Sequence, residues 1–411
     1  MKLLCVLGKY AYGHESRGLG YEYANFLPAL KHLGAEVEVF DSLDRAAYAG
    51  FPDLNRDLLA RALRYRPDVI LFVLMHYEIW TETLDILKEE LGAVLIHWAT
   101  DDSWKYRQFS RLLAHHFDIH ATTCRGAVAA ARNDGLNNVV QTQWAASASA
   151  LREPLDAEQC RYPVTFIGSN YGNRAAWLDS LRARGVEVTC FGHGWPGGAV
   201  PAERIPEIIR DSVISLNFGD SGIVWEGWLP ARSRQIKARV FEVPGSGGFL
   251  LTEPAEDLDR YLVSGKEIET FASKDELASK IRHYLDHPAE RNEIAAAGHL
   301  RVRREHTYEN RFRDLMNQAE TLRQRRAARL RASASSADVL PAFENIARSH
   351  HLTPALRILR WLLLLPCIAV WGRQRGPRAA RRILFEISWR IAGARTYSAR
   401  GWPGRLFSRE S

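Results

Sequence analysis

The order of apolar and helical segments predicts an α/β protein with two consecutive domains, each a parallel sheet with crossover helices, and then a basic helical tail. Three observations carry this expectation. Short apolar runs alternate with helical stretches over most of the length. At 411 residues the chain is too long for one ordinary core. Charge also divides sharply along it. Residues 323–411 hold 18 Arg and no Lys against four acids (Asp338, Glu344, Glu386, Glu410), so the tail carries +14 and residues 1–322 carry −7 of the overall +7. A hydrophobic content of 46% with 12 scattered Trp excludes disorder for the body.

The first series opens with KLLCVLG (2–8), followed by the polar, glycine-punctuated loop KYAYGHESRGLG (9–20) and a helix to about residue 32. EVEVFD (36–41), DVILFVLM (68–75), AVLIHWATDD (93–102), DIHATTC (118–124) and NVVQTQWA (138–145) follow, with helical stretches between them. Parallel strands need such crossovers, so residues 1–150 read as one Rossmann-like domain. A turn-rich segment, 147–163, leads into a second series: PVTFIGS, EVTCFG (187–192), SVISLNFG (212–219), GGFLLTE (247–253) and IETFAS (268–273). Helices are expected at about 173–184, 203–210, 234–243, 274–286 and 288–300, which makes 151–322 a second domain of the same class.

Beyond it, 301–331 reads as a long Arg-rich helix and ASASSAD (332–338) as a small-residue linker. Within the tail, residues 323–411, WLLLLPCIAVWG (361–372) has twelve uncharged residues between Arg360 and Arg373, short of the roughly 20 that span a bilayer. In 377–393, Ile383, Leu384, Ile387 and Ile391 share a helical face flanked by Arg378, Arg381, Arg382 and Arg390. That pattern suits a helix lying in a membrane interface through 352–393, with Trp361, Trp371 and Trp389 at headgroup depth; packing on the body or a partner chain, or binding a polyanion, are the competing uses.

Chemistry concentrates in KARVFEVPGSGGFLLTE (237–253). Lys237 and Arg239 suit a diphosphate, Glu242 a ribose diol, and Gly245, Gly247 and Gly248 a close approach of backbone to a ligand. A helix–turn–strand connector with solvated charges explains the same residues.

Together with VTFIGSNYGNRAAWLDSL (164–181), ISLNFGDSG (214–222) and the block 271–312, which carries E-L-x(3)-I, Y-L-x(2)-P-x(2)-R, A-x-A-G and H-T, this segment resembles the spore-maturation-protein (CgeB)-like glycosyltransferases. These are a branch of the GT-B fold with a group 1-like C-terminal domain. The resemblance implies two Rossmann-like domains facing a cleft, with a nucleotide-diphosphate sugar in the second and a hydroxyl acceptor (glycan, lipid-linked or protein) in the first. Glu242 matches the carboxylate that contacts the donor ribose, Arg239 the basic residue near the diphosphate, and Lys237 is a plausible second contact. Gly168, Ser169 and Asn170, between a strand and a helix, offer amides to the phosphates, and Arg174 either helps or is solvated. No cofactor or metal is implied. Group-1 members that retain configuration carry a glutamate eight positions before Glu242, where this chain has Arg234, and Glu226 in WEGW (225–228) lies too far upstream to replace it.

In the first domain the loop containing His14, Glu15, Arg17 and Gly18 is expected to face donor and acceptor. His14 is a candidate general base or a structural loop histidine. Asp101 and Asp102, at the carboxyl end of AVLIHWAT, are candidate bases or helix N-caps. Gly18-Leu19-Gly20 lacks the third glycine of a dinucleotide fingerprint, Tyr23 standing in its place. The Asp257–Asp259 triplet reads as helix-start charge rather than a metal site, and Phe271 as either a base-stacking or a core ring. No P-loop, HExxH or GxSxG is present, and nucleic acid is not an expected partner. Five dispersed cysteines without a CxxC pair fit a reducing compartment, and the apolar run 3–8 is too short for a signal-peptide core. The expectation is a cytoplasmic enzyme, peripheral at the inner membrane face. The alternative is a non-catalytic scaffold of the same fold that binds membrane or polyanion through its tail.

Overall fold

The computed structural model describes residues 1–226, 229–327 and 339–407, and two compact units make it up. Unit 1 comprises 1–122, 127–141 and 315–411; unit 2 comprises 123–126 and 142–314.

Unit 1 is built on a six-stranded parallel sheet ordered β2-β1-β3-β4-β5-β6. Its strands are β1 (Lys2–Leu7), β2 (Glu36–Asp41), β3 (Val69–Phe72), β4 (Val94–Ala99), β5 (Ile119–Thr122) and β6 (Val139–Gln141). The central strands are apolar on both faces because helices cover both, so Leu4, Val6, Ile70, Phe72 and Leu95 lie 0% exposed in one core. Each crossover returns the chain to the same end, which gathers the loops after β1, β2, β3 and β4 at the carboxyl edge.

Unit 2 has a five-stranded parallel sheet ordered β13-β12-β9-β7-β8 and a separate antiparallel pair. The sheet strands are β7 (Tyr162–Ile167), β8 (Thr189–Phe191), β9 (Ser212–Asn217), β12 (Leu250–Thr252) and β13 (Glu269–Thr270). The pair is β10 (Asp220–Glu226) and β11 (Leu229–Arg234), which replaces the start of the helix expected over 234–243; the helix itself runs Arg239–Gly245. Phe166, Trp177, Phe218 and Phe271 form an aromatic core, so Phe271, 1% exposed, is a core ring.

The single helix expected over 301–331 is two, Pro288–Glu305 and Tyr308–Ala327. The break holds a backbone bridge, in which the Ala146 amide donates to the His306 carbonyl at 3.0 Å and the Tyr308 amide to the Ala146 carbonyl at 3.1 Å. The small-residue linker 332–338 lies outside the described residues, as does the end of WEGW.

The tail is no free appendage. Phe343 is fully buried in the unit 1 core, stacked on Trp80 with ring centroids 5.9 Å apart, and Glu344 pairs with Arg56 at 2.6 Å. Helix Pro354–Ala392 reverses at Gly372 (φ 75), and a Cβ on Gly376 would stand 2.6 Å from the Ile368 Cα, so only glycine lets the two arms meet there. Cys367, Ala380, Leu384, Leu406 and Phe407 fill the space around the arms. The outer face carries Ile358, Trp361, Leu362, Leu365, Val370 and Ile391, each more than half exposed. An 18-residue window within 354–397 is apolar enough by length and composition to cross a membrane, with a mean hydropathy of 1.6 and 6% of it buried. The twelve uncharged residues 361–372 belong to this stretch, which the window extends past the flanking Arg.

Candidate functional site

In unit 2 the adjacent strands β7, β9 and β12 deliver their carboxyl ends side by side, followed by Gly168, Phe218 and Glu253. Arg174 opens the helix Arg174–Arg182 just beyond β7 and is 7% exposed. Its Nη1 donates to the Ser169 carbonyl at 2.8 Å and its Nη2 to the Tyr171 hydroxyl at 3.0 Å, while the guanidinium lies 3.9 Å from the Tyr171 ring centroid. Burial, and then the charge of Arg239, press Arg174 below its ordinary pKa against the pull of Tyr171, Asp220 and Glu253. The reading of Arg174 as a solvated first-turn residue therefore gives way to a held, desolvated cation.

One helix turn orders the next group. Arg239 and Glu242, at i and i+3 on the helix Arg239–Gly245, approach to 2.8 Å with side chains only 19% and 17% exposed. The alignment makes no hydrogen bond at Arg239 Nη1, and Arg174 Nε is likewise buried with no acceptor among the described residues. Arg174 thus holds a donor that an anion satisfies, and Arg239 shares Glu242 with whatever anion enters. Lys237 lies half-buried one residue before the helix cap.

Two acids that the sequence reading did not single out complete the cluster. Glu253, 3% exposed, accepts the Gly219 amide at 2.9 Å and stands 3.4 Å from Arg234 Nη2. Burial raises its pKa despite Arg234 and that amide. Asp220, 5% exposed, faces Arg234 across the β10–β11 pair. Their sequence signal was present: Glu253 follows directly on the apolar strand β12, and Asp220 comes three residues after the end of β9.

The glycines have a different role from the one expected. Gly247 (φ 77) would place a Cβ 2.7 Å from the Arg152 carbonyl oxygen, and Gly248 one 2.6 Å from Ile209 Cγ2. Both are buried against the chain itself, so they serve packing rather than ligand approach. Gly168 and Asn170 donate their amides to Phe191 and His193 at 2.9 and 2.8 Å, leaving Ser169 as the amide of the three with no intrachain acceptor among the described residues. Asp257 of the acidic triplet pairs with Arg125 at 2.6 Å.

In unit 1 the loop after β1 forms two short 3-10 turns. His14, Glu15, Arg17 and Gly18 are exposed there, and the Tyr10 hydroxyl donates to Glu15 at 3.0 Å. The two aspartates after β4 separate. Asp102 is 4% exposed; it accepts from the Ser110 hydroxyl and lies 3.4 Å from His120 Nε2. Burial opposes its charge, but His120, Ser110 and Thr122 prevail and hold the carboxyl below its ordinary range. Asp101 is the more open of the pair, 3.5 Å from Lys105 Nζ. Near it Glu22, on the first turn of the helix Tyr21–His32, has its pKa raised by burial and by the Asp101 charge, although its own backbone opposes the shift. Glu22 is a carboxyl group that the sequence reading did not single out.

The fold is that of the GT-B glycosyltransferases. Residues 174–317, beginning at Arg174 itself, match the sequence profile of a family described as glycosyl transferase-like. Among solved structures, the chain is similar to the sucrose-phosphate synthase of Thermosynechococcus elongatus at 13% identity, covering 80% of this chain and 100% of that one with a TM-score of 0.58. Anabaena Alr3699/HepE, in complex with UDP and glucose, is similar at 12% identity over 78% of this chain and 100% of its own, with a TM-score of 0.55. A glycosyltransferase from Rickettsia africae shares 10% identity over 78% and 98%, with a TM-score of 0.54. No curated protein sequence gives a significant match.

Proposed function

We propose that this chain transfers a sugar from a nucleoside diphosphate sugar to a hydroxyl acceptor without a metal. The observation that carries the reading is the pair Arg174, buried with an unpartnered Nε, and Arg239, half-buried and held by Glu242, at the carboxyl edge of a parallel sheet in the glycosyl transferase-like segment. Transfer puts negative charge on the departing diphosphate. Fixed guanidinium groups in a water-poor site stabilise that charge at no cost of reorganisation. Lys237 adds to the field, Ser169 offers an amide, and Glu242 takes the ribose diol. On the acceptor side Asp101, with Glu22 beside it, removes the hydroxyl proton. HepE has been seen with UDP, which makes UDP the nucleotide to try first.

In this reading the tail holds the chemistry against a membrane. The exposed apolar face of the helix Pro354–Ala392 is bordered by Arg357, Arg360, Arg373, Arg378, Arg382 and Arg390, a complement to an anionic leaflet on the cytoplasmic side.

The test is a thermal-shift series of the full chain with UDP, GDP, dTDP and ADP, with and without Mg²⁺, repeated on Glu242→Ala. Stabilisation by one diphosphate that needs no metal and disappears in the variant supports the reading. No response to any nucleotide overturns it in favour of the non-catalytic scaffold, for which Arg234, bound to Glu253 in place of a glutamate, is the one specific observation.

A further inference from the structure

Unit 1 holds a second cationic site that the donor chemistry does not use. Beyond the carboxyl ends of β2 and β3 lies a cavity of about 330 Å³, lined by Ser42, Arg45, Tyr48, Phe51, His76 and Glu78 among others. His76 also lines a smaller space of about 60 Å³ formed with Trp104, Lys105, Arg381, Arg382 and Phe385, so one residue is common to both. Two of these arginines come from the second arm of the tail hairpin. The tail therefore furnishes part of the wall of a cavity at the sheet's working edge.

The side-chain ion pairing there is incomplete. Of the cations, Lys105 pairs with Asp101 at 3.5 Å and Arg382 with Glu386 at 3.2 Å. Of the acids, Glu78 is occupied by the amides of Met75 and His76, each at 2.8 Å, and Asp44 by those of Ala46 and Ala47 at 3.0 and 3.2 Å. Arg45 and Arg381 have no ion-pair partner among the described residues, and Arg381 Nη1 is buried with no acceptor. Partial burial and the Arg381 charge press Arg45 below its ordinary pKa against the pull of Glu78 and Tyr77, and burial followed by Lys105, Arg381, Arg45 and Arg382 drives His76 down to about 3. The imidazole is neutral at pH 7, and the positive field belongs to the arginines. Arg45 is exposed at the cavity mouth and Arg381 half-buried in its wall, so both guanidinium groups keep donors that a ligand's oxygens satisfy.

We propose that this paired cavity binds the phosphate or diphosphate group of an anionic acceptor, with Arg45 and Arg381 as its ligands and the space beside Tyr48, Phe51 and Leu54 taking the organic group next to the phosphate. Guanidinium forks match phosphate oxygens bidentately, which favours a phosphate over a single carboxylate. The proposal rests on the transfer reading above and names its acceptor class. Such a group reaches the site either on a lipid, since the same hairpin arm exposes Ile387 and Ile391, or as a soluble phosphorylated sugar.

The experiment uses the full chain and reads intrinsic tryptophan fluorescence, Trp104 being in the cavity wall, with UDP in excess to fill the donor site. The probes are inorganic pyrophosphate, with sodium chloride at equal ionic strength as control, and phosphatidylcholine vesicles with and without phosphatidic acid. Arg45→Gln and Arg381→Gln are each expected to weaken binding of the responding probe about tenfold or more, the loss of one charge-assisted contact. Arg182→Gln, on an exposed pair with Asp179, leaves it unchanged. Arg381→Lys, which keeps the charge, recovers part of the loss, and unchanged UDP stabilisation shows that each variant is folded. A response to phosphatidic acid vesicles over plain ones assigns the lipid source; a response to pyrophosphate alone assigns the soluble one. Equal binding by all variants, or none to either probe while UDP still stabilises the chain, overturns the site and leaves the donor reading standing. Anion binding that depends on Arg45 and Arg381 in a chain that ignores UDP keeps the anion site and removes the transfer assigned to it.

Discussion

Replacing Arg239 with Ala separates ligand binding from folding. In the free protein its guanidinium lies 2.8 Å from Glu242, the two side chains 19% and 17% exposed, without an aligned hydrogen bond at Nη1. An ion pair of that kind contributes about 1 kcal/mol or less to stability, so the melting temperature should fall by no more than about 2–4 °C. The nucleotide feels a larger change. One charge-assisted contact to the diphosphate is lost, about 1.5–3 kcal/mol, and the Glu242 carboxylate is left unneutralised beside the phosphates. The sum points to the upper end, about 3 kcal/mol, or a Kd for UDP weaker by roughly a hundredfold. The double variant Arg239→Ala/Glu242→Gln removes the stray charge and should recover part of the phosphate term while giving up the ribose contact. Isothermal titration with UDP at fixed salt reads all three proteins. A Kd for Arg239→Ala within about twofold of wild type, with the melting temperature unchanged, would refute the placement of the diphosphate here.

Gly247→Ala forces a Cβ into the left-handed region and to 2.7 Å from the Arg152 carbonyl, so a loss of about 2–4 kcal/mol is expected from the urea midpoint, with UDP affinity per folded molecule unchanged. His306 has its pKa lowered to about 4, first by burial and then by Arg311, whose Nη2 is 3.0 Å from Nδ1. Its contribution to stability is complete above the unfolded value near 6.5 and is lost as pH falls from there towards 4, so His306→Asn should flatten the stability curve in that window by up to about 3 kcal/mol in an acid titration followed by circular dichroism. On the hairpin's outer face, Leu362→Asp with Ile391→Asp should reduce cosedimentation with anionic vesicles by tenfold or more, because each apolar side chain gives up about 1.5–3 kcal/mol of burial; equal partitioning would place the membrane contact elsewhere. Glu253→Gln frees Arg234 towards the diphosphate and should tighten UDP several-fold, whereas weaker binding would show that Glu253 itself meets the nucleotide.

The parallel sheets were legible because buried strands leave short apolar runs and their crossovers leave amphipathic ones. β2 falls on the expected residues 36–41, and β1 ends one residue early. What was missed needed distant information. Pro230 argues against a strand, yet β11 pairs on one side only, where the lost amide is tolerated. The break at His306 and Thr307 arises from the bridge to Ala146, some 160 positions away in sequence, which no local pattern contains. The motif block that carried the family resemblance is largely structural. Arg291, 0% exposed, donates to the carbonyls of Val213, Leu155 and Ser212, and Gly298 has room only for hydrogen against the Glu267 carbonyl. Those residues report the fold faithfully and the chemistry only indirectly.

The Arg234 departure shows how the two levels combine. Read along the chain, a glutamate is missing and an arginine stands in its place. Read in space, that arginine ends β11, reaches Glu253 at the end of β12, and so brings a carboxylate to the cluster from another strand. With Arg174, Lys237 and Arg239 the cluster holds four cations against Asp220, Glu242 and Glu253, a single net positive charge before any ligand enters. A nucleoside diphosphate brings more negative charge than that. Burial raises the pKa of Glu253, and protonating it releases Arg234 and improves the match. UDP affinity should therefore rise as pH falls towards the raised pKa of Glu253, and this rise should be absent in Glu253→Gln, where the carboxylate has already been removed.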